Sequence, residues 1–162
     1  MSGQDSTMFR GEVVAIYVAP AAGAPMEARD EVDAIAGRGL AGDRYRDAAG
    51  TYSGTRVPDA QRAITLIERE AVAAAHDDQC PIEERETRRN LVTVGVPLNH
   101  LVGRTFRVGT VRLRGINLAE PCVYLEGLTH TRVRSALVHR AGLRAEILGG
   151  GPIRVGDTVE AL

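Results

Sequence analysis

Apolar residues along this chain fall in short runs, each bounded by glycine, proline or clustered charge. Val13-Val14-Ala15-Ile16-Tyr17-Val18, between Gly11 and Pro20, reads as a buried strand, because an unbroken β-branched run fits a strand covered on both faces. Residues 21–25 are a small-residue loop, and 27–36 alternate less cleanly and predict a weaker strand. Gly37-Arg38-Gly39-Leu40-Ala41-Gly42-Asp43-Arg44-Tyr45 predicts a tight loop that presents Asp43 and Arg44, followed by a polar loop to about Gln61. Residues 63–67 predict a short strand running into a helix near 68–76, with Ile67, Ala71, Ala74 and Ala75 on one face. The segment 88–95 opens with the polar Arg88-Arg89-Asn90 and closes as a strand, Leu91-Val92-Thr93-Val94. Residues 97–102 predict one or two helical turns that Gly103 stops. The stretches 106–111 and 153–159 share a strand, glycine turn, strand pattern, and both predict hairpins. A helix over 131–140, ended by Gly142, and a strand over 143–148 complete the series.

Many short strands with a few short helices, and no regular alternation of the two, predict a mainly β fold. A barrel or sandwich fits better than a doubly wound sheet. The 162 residues suit one domain with a real core. We expect a flexible, Ser-rich tail over 1–10 and a single domain over 11–162.

Composition narrows the function. A formal net charge of -1 gives no reason to expect nucleic acid or an anionic membrane as partner. No stretch approaches the roughly 18 apolar residues of a membrane span, and the first ten residues show no charged-then-apolar signal pattern. A cytoplasmic location is the expectation. Cys80 and Cys122 are too few for a disulfide framework and are expected as thiols. All 20 basic residues counted as Lys+Arg are arginine. A chain without lysine cannot hold pyridoxal phosphate as a lysine Schiff base, whereas arginine suits bidentate binding of phosphate and carboxylate.

The candidate motifs differ in weight. Gly37-x-Gly39-x-x-Gly42 matches the dinucleotide fingerprint, but that motif needs a helix opening at its last glycine. The residues after Gly42 carry no apolar face at helical spacing, which rules the dinucleotide reading out. Arg88-Arg89-Asn90 reads first as a solvated strand start. Its second reading is an anion and amide clamp, since guanidinium forks bind phosphate and an Asn amide both donates and accepts. Cys122, in Glu120-Pro121-Cys122-Val123-Tyr124-Leu125, is either a small buried hydrophobe or a reactive thiol favoured by a helix start at Pro121. Spacing alone does not separate the two. Cys80, in the polar loop 78–81, reads as incidental. The four histidines fall at no zinc-type spacing, no nucleophile elbow is present, and the carboxylates are too scattered to nominate a pair.

Three segments together resemble a known family: 39–45; Arg88-Arg89-Asn90-Leu91-Val92-Thr93-Val94-Gly95 continuing to Gly103-Arg104-x-Phe106; and Glu120-Pro121-Cys122. They are similar to the MOSC domain, named for the C-terminal domain of molybdenum cofactor sulfurases. Residues 139–145 with Gly156-Asp157 resemble its small stand-alone bacterial members. The resemblance runs from about residue 11 to the end. It implies a Greek-key β-barrel with short helices, and involvement with the molybdenum–molybdopterin cofactor or with sulfur transfer. It places the key role on Cys122, the molybdenum ligand in related amidoxime-reducing enzymes. It places the holding of the anionic pterin on Arg44, in the loop with Asp43, and on Arg88 and Asn90; Arg89 has no firm equivalent. The sulfurases' pyridoxal-phosphate domain and the amidoxime reductases' extra N-terminal barrel have no counterpart in this chain.

Three functions follow as expectations. The first is a reductase of N-hydroxylated small molecules, with Cys122 on molybdenum and electrons from an electron-transfer protein. The second is a sulfur carrier, with Cys122 taking a persulfide from a cysteine desulfurase. The third is a non-catalytic cofactor-binding module.

Overall fold

The computed structural model describes residues 9–43, 63–120 and 133–162. Its strands are β1 (Arg10–Val18), β2 (Glu27–Arg29), β3 (Glu31–Ile35), β4 (Gly39–Leu40), β5 (Ile64–Glu68), β6 (Leu91–Val94), β7 (Thr105–Val108), β8 (Val111–Leu118), β9 (Leu143–Gly149), β10 (Gly151–Arg154) and β11 (Thr158–Ala161). Helix α1 spans Arg69–Asp77 and α2 spans Val133–Leu137, and single 3-10 turns occupy Glu84–Thr87 and Leu98–Leu101. No helix among the described residues is long and apolar enough to cross a membrane.

Seven strands close into a barrel in the order β1-β11-β7-β8-β9-β5-β6, with β6 pairing back onto β1. The nine residues of β1 make the closure possible. One edge pairs β6 over residues 12–16, and the other takes β11 at its start and β2 at its end. The order β11-β7-β8-β9, in which the last strand returns beside the first, is the Greek-key arrangement that the family resemblance implied. The neighbours pair antiparallel except β5 with β6. Parallel neighbours need a crossover, and α1 supplies it, packing its Val72 against Ile67 and Val92. A small sheet, β10-β3-β4, adds Val32, Ala34, Leu40 and Ile153 to the barrel core of Ile16, Leu66, Leu91, Phe106, Leu113 and Leu143. Each fully buried leucine, isoleucine or phenylalanine among them contributes about 1.5–3 kcal/mol of transfer free energy.

Several expectations shift. The predicted strand over 27–36 breaks at Asp30 into β2 and β3, which join different sheets. β1 starts at Arg10, and Phe9 packs against the core. The stretch 106–111 is indeed the hairpin β7–β8. The matching stretch 153–159 is not a hairpin: β10 pairs β3, while β11 pairs β1 and β7. Asp157 closes a tight turn, its carboxylate accepting from the Arg154 N–H at 2.8 Å, but the turn backbone bonds to Val13 of β1, and β11 continues along β1 instead of returning beside β10. Cys80 is no loop bystander. It is wholly buried with Ala75, Ile82, Ala136, Leu137 and Ala141, beneath α1 and α2.

Candidate functional site

Asn90 lies one residue before β6, and its backbone continues the ladder on both sides. Its N–H reaches Thr65, and its carbonyl accepts from Tyr17 N–H at 2.7 Å. The side chain repeats both links. Oδ1 accepts from the Thr65 N–H at 3.0 Å and the Thr65 hydroxyl at 3.2 Å. Nδ2 donates to the Tyr17 carbonyl at 3.0 Å and to Asp43 Oδ1 at 3.3 Å. An amide has two acceptor and two donor positions, so those of Asn90 are all engaged within the protein. The residue joins β1, β5 and β6, and it is 3% exposed.

Asp43, expected to be presented by its loop, is instead fully buried. The turn after β4 delivers it, with Gly42 at φ +83 and the Asp43 N–H donating to Leu40 O at 3.0 Å. Its Oδ1 also accepts from the Ala19 N–H at 3.1 Å. The carboxylate thus stands between the end of β1 and Asn90. Arg44 and Cys122 lie outside the described residues. The contacts of Asp43 and Thr65 nonetheless show what holds the two flanks of the segment 44–62, which carries Arg44.

Arg88 ends the 3-10 turn in the left-handed region, at φ 62. A non-glycine residue there is uncommon and costs conformational energy, a pattern frequent at functional sites. The buried Thr87 beside it donates its hydroxyl to Glu84 O at 2.7 Å and helps impose the turn. The Arg88 guanidinium is half-buried and donates through Nη1 to Ala24 O at 2.7 Å.

Arg89, which the sequence left without a role, holds the other segment. Its Nε donates to Ala141 O at 2.8 Å and its Nη2 to Ala119 O at 2.5 Å. Those carbonyls flank the segment that carries Cys122. The same flanks meet directly, since the Ala119 N–H donates to Gly142 O at 2.8 Å. Glu120 takes the His139 N–H at 2.7 Å and His139 Nδ1 at 2.8 Å. Asn99 donates to His139 O at 2.7 Å, and Arg140 pairs with Asp78, the residue that follows α1. Nothing in the periodicity marks Thr65, Tyr17 O or the alanine carbonyls. They act through backbone and a short hydroxyl, which carry no signal in sequence.

Two consecutive residues, Arg89 and Asn90, therefore secure the flanks of two distant segments, and the comparisons bear on what such a chain is. No curated protein matches it. Solved structures share its fold, among them the following three. The YuaD protein of Bacillus subtilis superposes with a TM-score of 0.81 at 18% identity, covering 94% of this chain and 96% of that one. YiiM of Geobacillus stearothermophilus gives 0.71 at 14% identity, over 94% of this chain and 75% of its own. YiiM of Escherichia coli gives 0.61 at 18% identity, over 96% and 69%. These identities speak to the fold alone. The sequence profile of the MOSC domain, however, matches residues 43–160, from the buried Asp43 through the Arg88-Arg89-Asn90 hub to the closing strand β11, and the chain belongs to the MOSC domain family.

Proposed function

We propose that this protein binds the molybdenum–molybdopterin cofactor, with Cys122 as metal ligand, and reduces N-hydroxylated small molecules with electrons from an electron-transfer protein. The observation that supports this reading is the hub: Arg89 and Asn90 hold the flanks of the segments that carry Cys122 and Arg44. The donor set suits the group. A thiolate is a soft ligand for molybdenum, and arginine forks suit the pterin's phosphate. Cys122 would hold the metal, and Arg44 and Arg88 the anion. Asn90 and Asp43 serve from behind, by fixing the flanks of the segment that carries Arg44.

When bound, the cofactor would supply a two-electron redox centre. The net change is an N–OH group, two electrons and two protons going to N–H and water. Cys80 is sealed in the core, which leaves Cys122 as the thiol for metal or sulfur chemistry in this chain.

The test is elemental molybdenum, with pterin fluorescence after oxidation, on protein expressed with full cofactor supply and purified without oxygen. Metal and pterin near one per chain, lost in Cys122→Ala, are expected. Well-folded wild type without metal would overturn the reading. The persulfide alternative would then be tested by intact mass after incubation with a cysteine desulfurase. It expects one added sulfur, absent in Cys122→Ser.

A further inference from the structure

We propose that a cavity between the start of β1, the 3-10 turn Leu98–Leu101 and the end of β11 binds a small monocarboxylate with an apolar body, such as an arylalkanoate, with Arg104 as its anchor. The cavity has a volume of about 370 Å³. That is within the usual range for small-molecule sites, and the mouths of β-barrels are a common place for them. It lies at the opposite end of the β1–β6 pair from Asn90, since Phe9 precedes β1 and Pro97 follows β6. The nine residues of β1, at about 3.3 Å each, put on the order of 30 Å between the cavity and the Asn90 network. It is therefore a separate site.

Phe9, Pro97, Leu101 and Leu162 give the cavity an apolar wall. Phe9 is only partly buried where it packs against the core, and Leu162 is 58% exposed. An apolar body seated there would remove both from water, which is the main driving force for such binding. Arg104 stands at the rim on a fixed backbone. Its N–H donates to Leu101 O at 3.0 Å, and its carbonyl accepts from the Gly115 N–H at 2.9 Å. Gly115 permits this close approach, because a Cβ there would lie 2.1 Å from Leu101 O. The Arg104 side chain has no such ties. It is exposed, and among the described residues its guanidinium makes no hydrogen bond and no ion pair with any carboxylate. A planar fork with a positioned stem matches a carboxylate through two parallel bonds. The Thr105 hydroxyl and the His100 ring also line the cavity and add donors. His100 faces Glu68 at the end of β5 as well, so its charge is shared and Arg104 carries the anchor. One free fork beside an existing carboxyl suits a monoanion better than a phosphate dianion.

The experiment is a heteronuclear NMR titration of the full chain with phenylbutyrate, and with phenylbutyramide as the neutral isostere. The acid should saturate with a dissociation constant below about 1 mM. Shifts should concentrate at residues 97–105, at the start of β1 and at the end of β11. The amide should bind about tenfold more weakly. Arg104→Gln should lose the same factor for the acid and none for the amide, which assigns the difference to the guanidinium. Leu162→Ser should weaken both ligands, by about threefold, because it removes part of the apolar wall. Both substitutions fall on exposed side chains, and unchanged melting temperatures without ligand would show that the fold is kept. Equal affinity for acid and amide in wild type would overturn the proposal without any variant. So would no saturable shift by about 10 mM, shifts scattered over the barrel, or an Arg104→Gln protein that binds the acid as wild type does. None of these readouts involves molybdenum, so the site stands or falls apart from the reductase reading.

Discussion

Asn90 Nδ2 donates to Asp43 Oδ1 across 3.3 Å, and that one bond joins the start of β6 to the glycine-rich turn after β4. Asp43 is fully buried and its Oδ1 also serves the Ala19 N–H. Asn90→Leu would keep the volume but strip donors from Asp43 and Tyr17 O, and an acceptor from the Thr65 N–H. Each buried polar group left unsatisfied costs about 1–3 kcal/mol. Allowing for partial relaxation, the variant should lose about 3 kcal/mol in urea unfolding. A loss below about 1 kcal/mol would show that water replaces the amide and that the network is not closed.

Gly142 makes a sharper prediction. It sits at φ +113, and a Cβ there would lie 2.0 Å from Leu66 O. Neither the dihedral nor the backbone oxygen can give way, because Leu66 pairs with Leu143 and Leu91 in the barrel. Gly142→Ala should therefore cost more than about 2 kcal/mol. Gly142 O also accepts from the Ala119 N–H, so the damage should extend to the flank of the Cys122 segment. Thermal unfolding gives the first figure, and hydrogen exchange over 119–142 the second.

Much of the barrel was legible because its strands are β-branched runs punctuated by glycine, as in residues 13–18 and 91–94. The separate destinations of β10 and β11 were not legible. The pattern at 153–159 is that of a hairpin, and only the remote partners, Val13 for the turn backbone and β3 for β10, send the strands to different sheets. The site divides in the same way. Arg88, Asn90 and Asp43 could be singled out as polar residues in a motif, but their partners are carbonyls and amides from remote strands. Arg89 had no firm equivalent in the family resemblance, and only the fold brings Ala119 and Ala141 to its guanidinium.

Cys80 illustrates a short polar stretch that hides a core residue. Asp78-Gln79-Cys80-Pro81 looks exposed, yet Gln79 adopts φ 64 and turns Cys80 inward, with its N–H on Ala75 O at 2.9 Å. The thiol should not react with a disulfide reagent in the native protein and should react once urea unfolds it. Cys80→Ser places a hydroxyl among Ala75, Ile82, Leu137 and Ala141, and should cost about 1–3 kcal/mol. Rapid native labelling mapped to Cys80 by peptide mass would contradict the packing of α1 against α2.

Glu68, the last residue of β5, predicts a pH dependence. Burial pushes its carboxyl above the usual carboxylate range, and nearby Glu70 adds to this, while a hydrogen bond from the Leu98 backbone and the charge of His100 oppose it. A carboxyl with a raised folded pKa binds its proton more tightly in the native state than in the unfolded one. Its ionisation therefore destabilises the fold progressively as pH climbs above the ordinary carboxylate value, and costs nothing below it. Glu68→Gln keeps an acceptor for Leu98 and removes the charge. It should raise the melting temperature at about pH 7.5 and not at about pH 3.5, by a margin under about 1 kcal/mol because the half-buried group remains partly screened by solvent. The measurement is a pair of thermal melts at each pH. An equal gain at both values would assign the effect to packing, and a loss at pH 7.5 would mean that the His100 and Leu98 contacts outweigh burial.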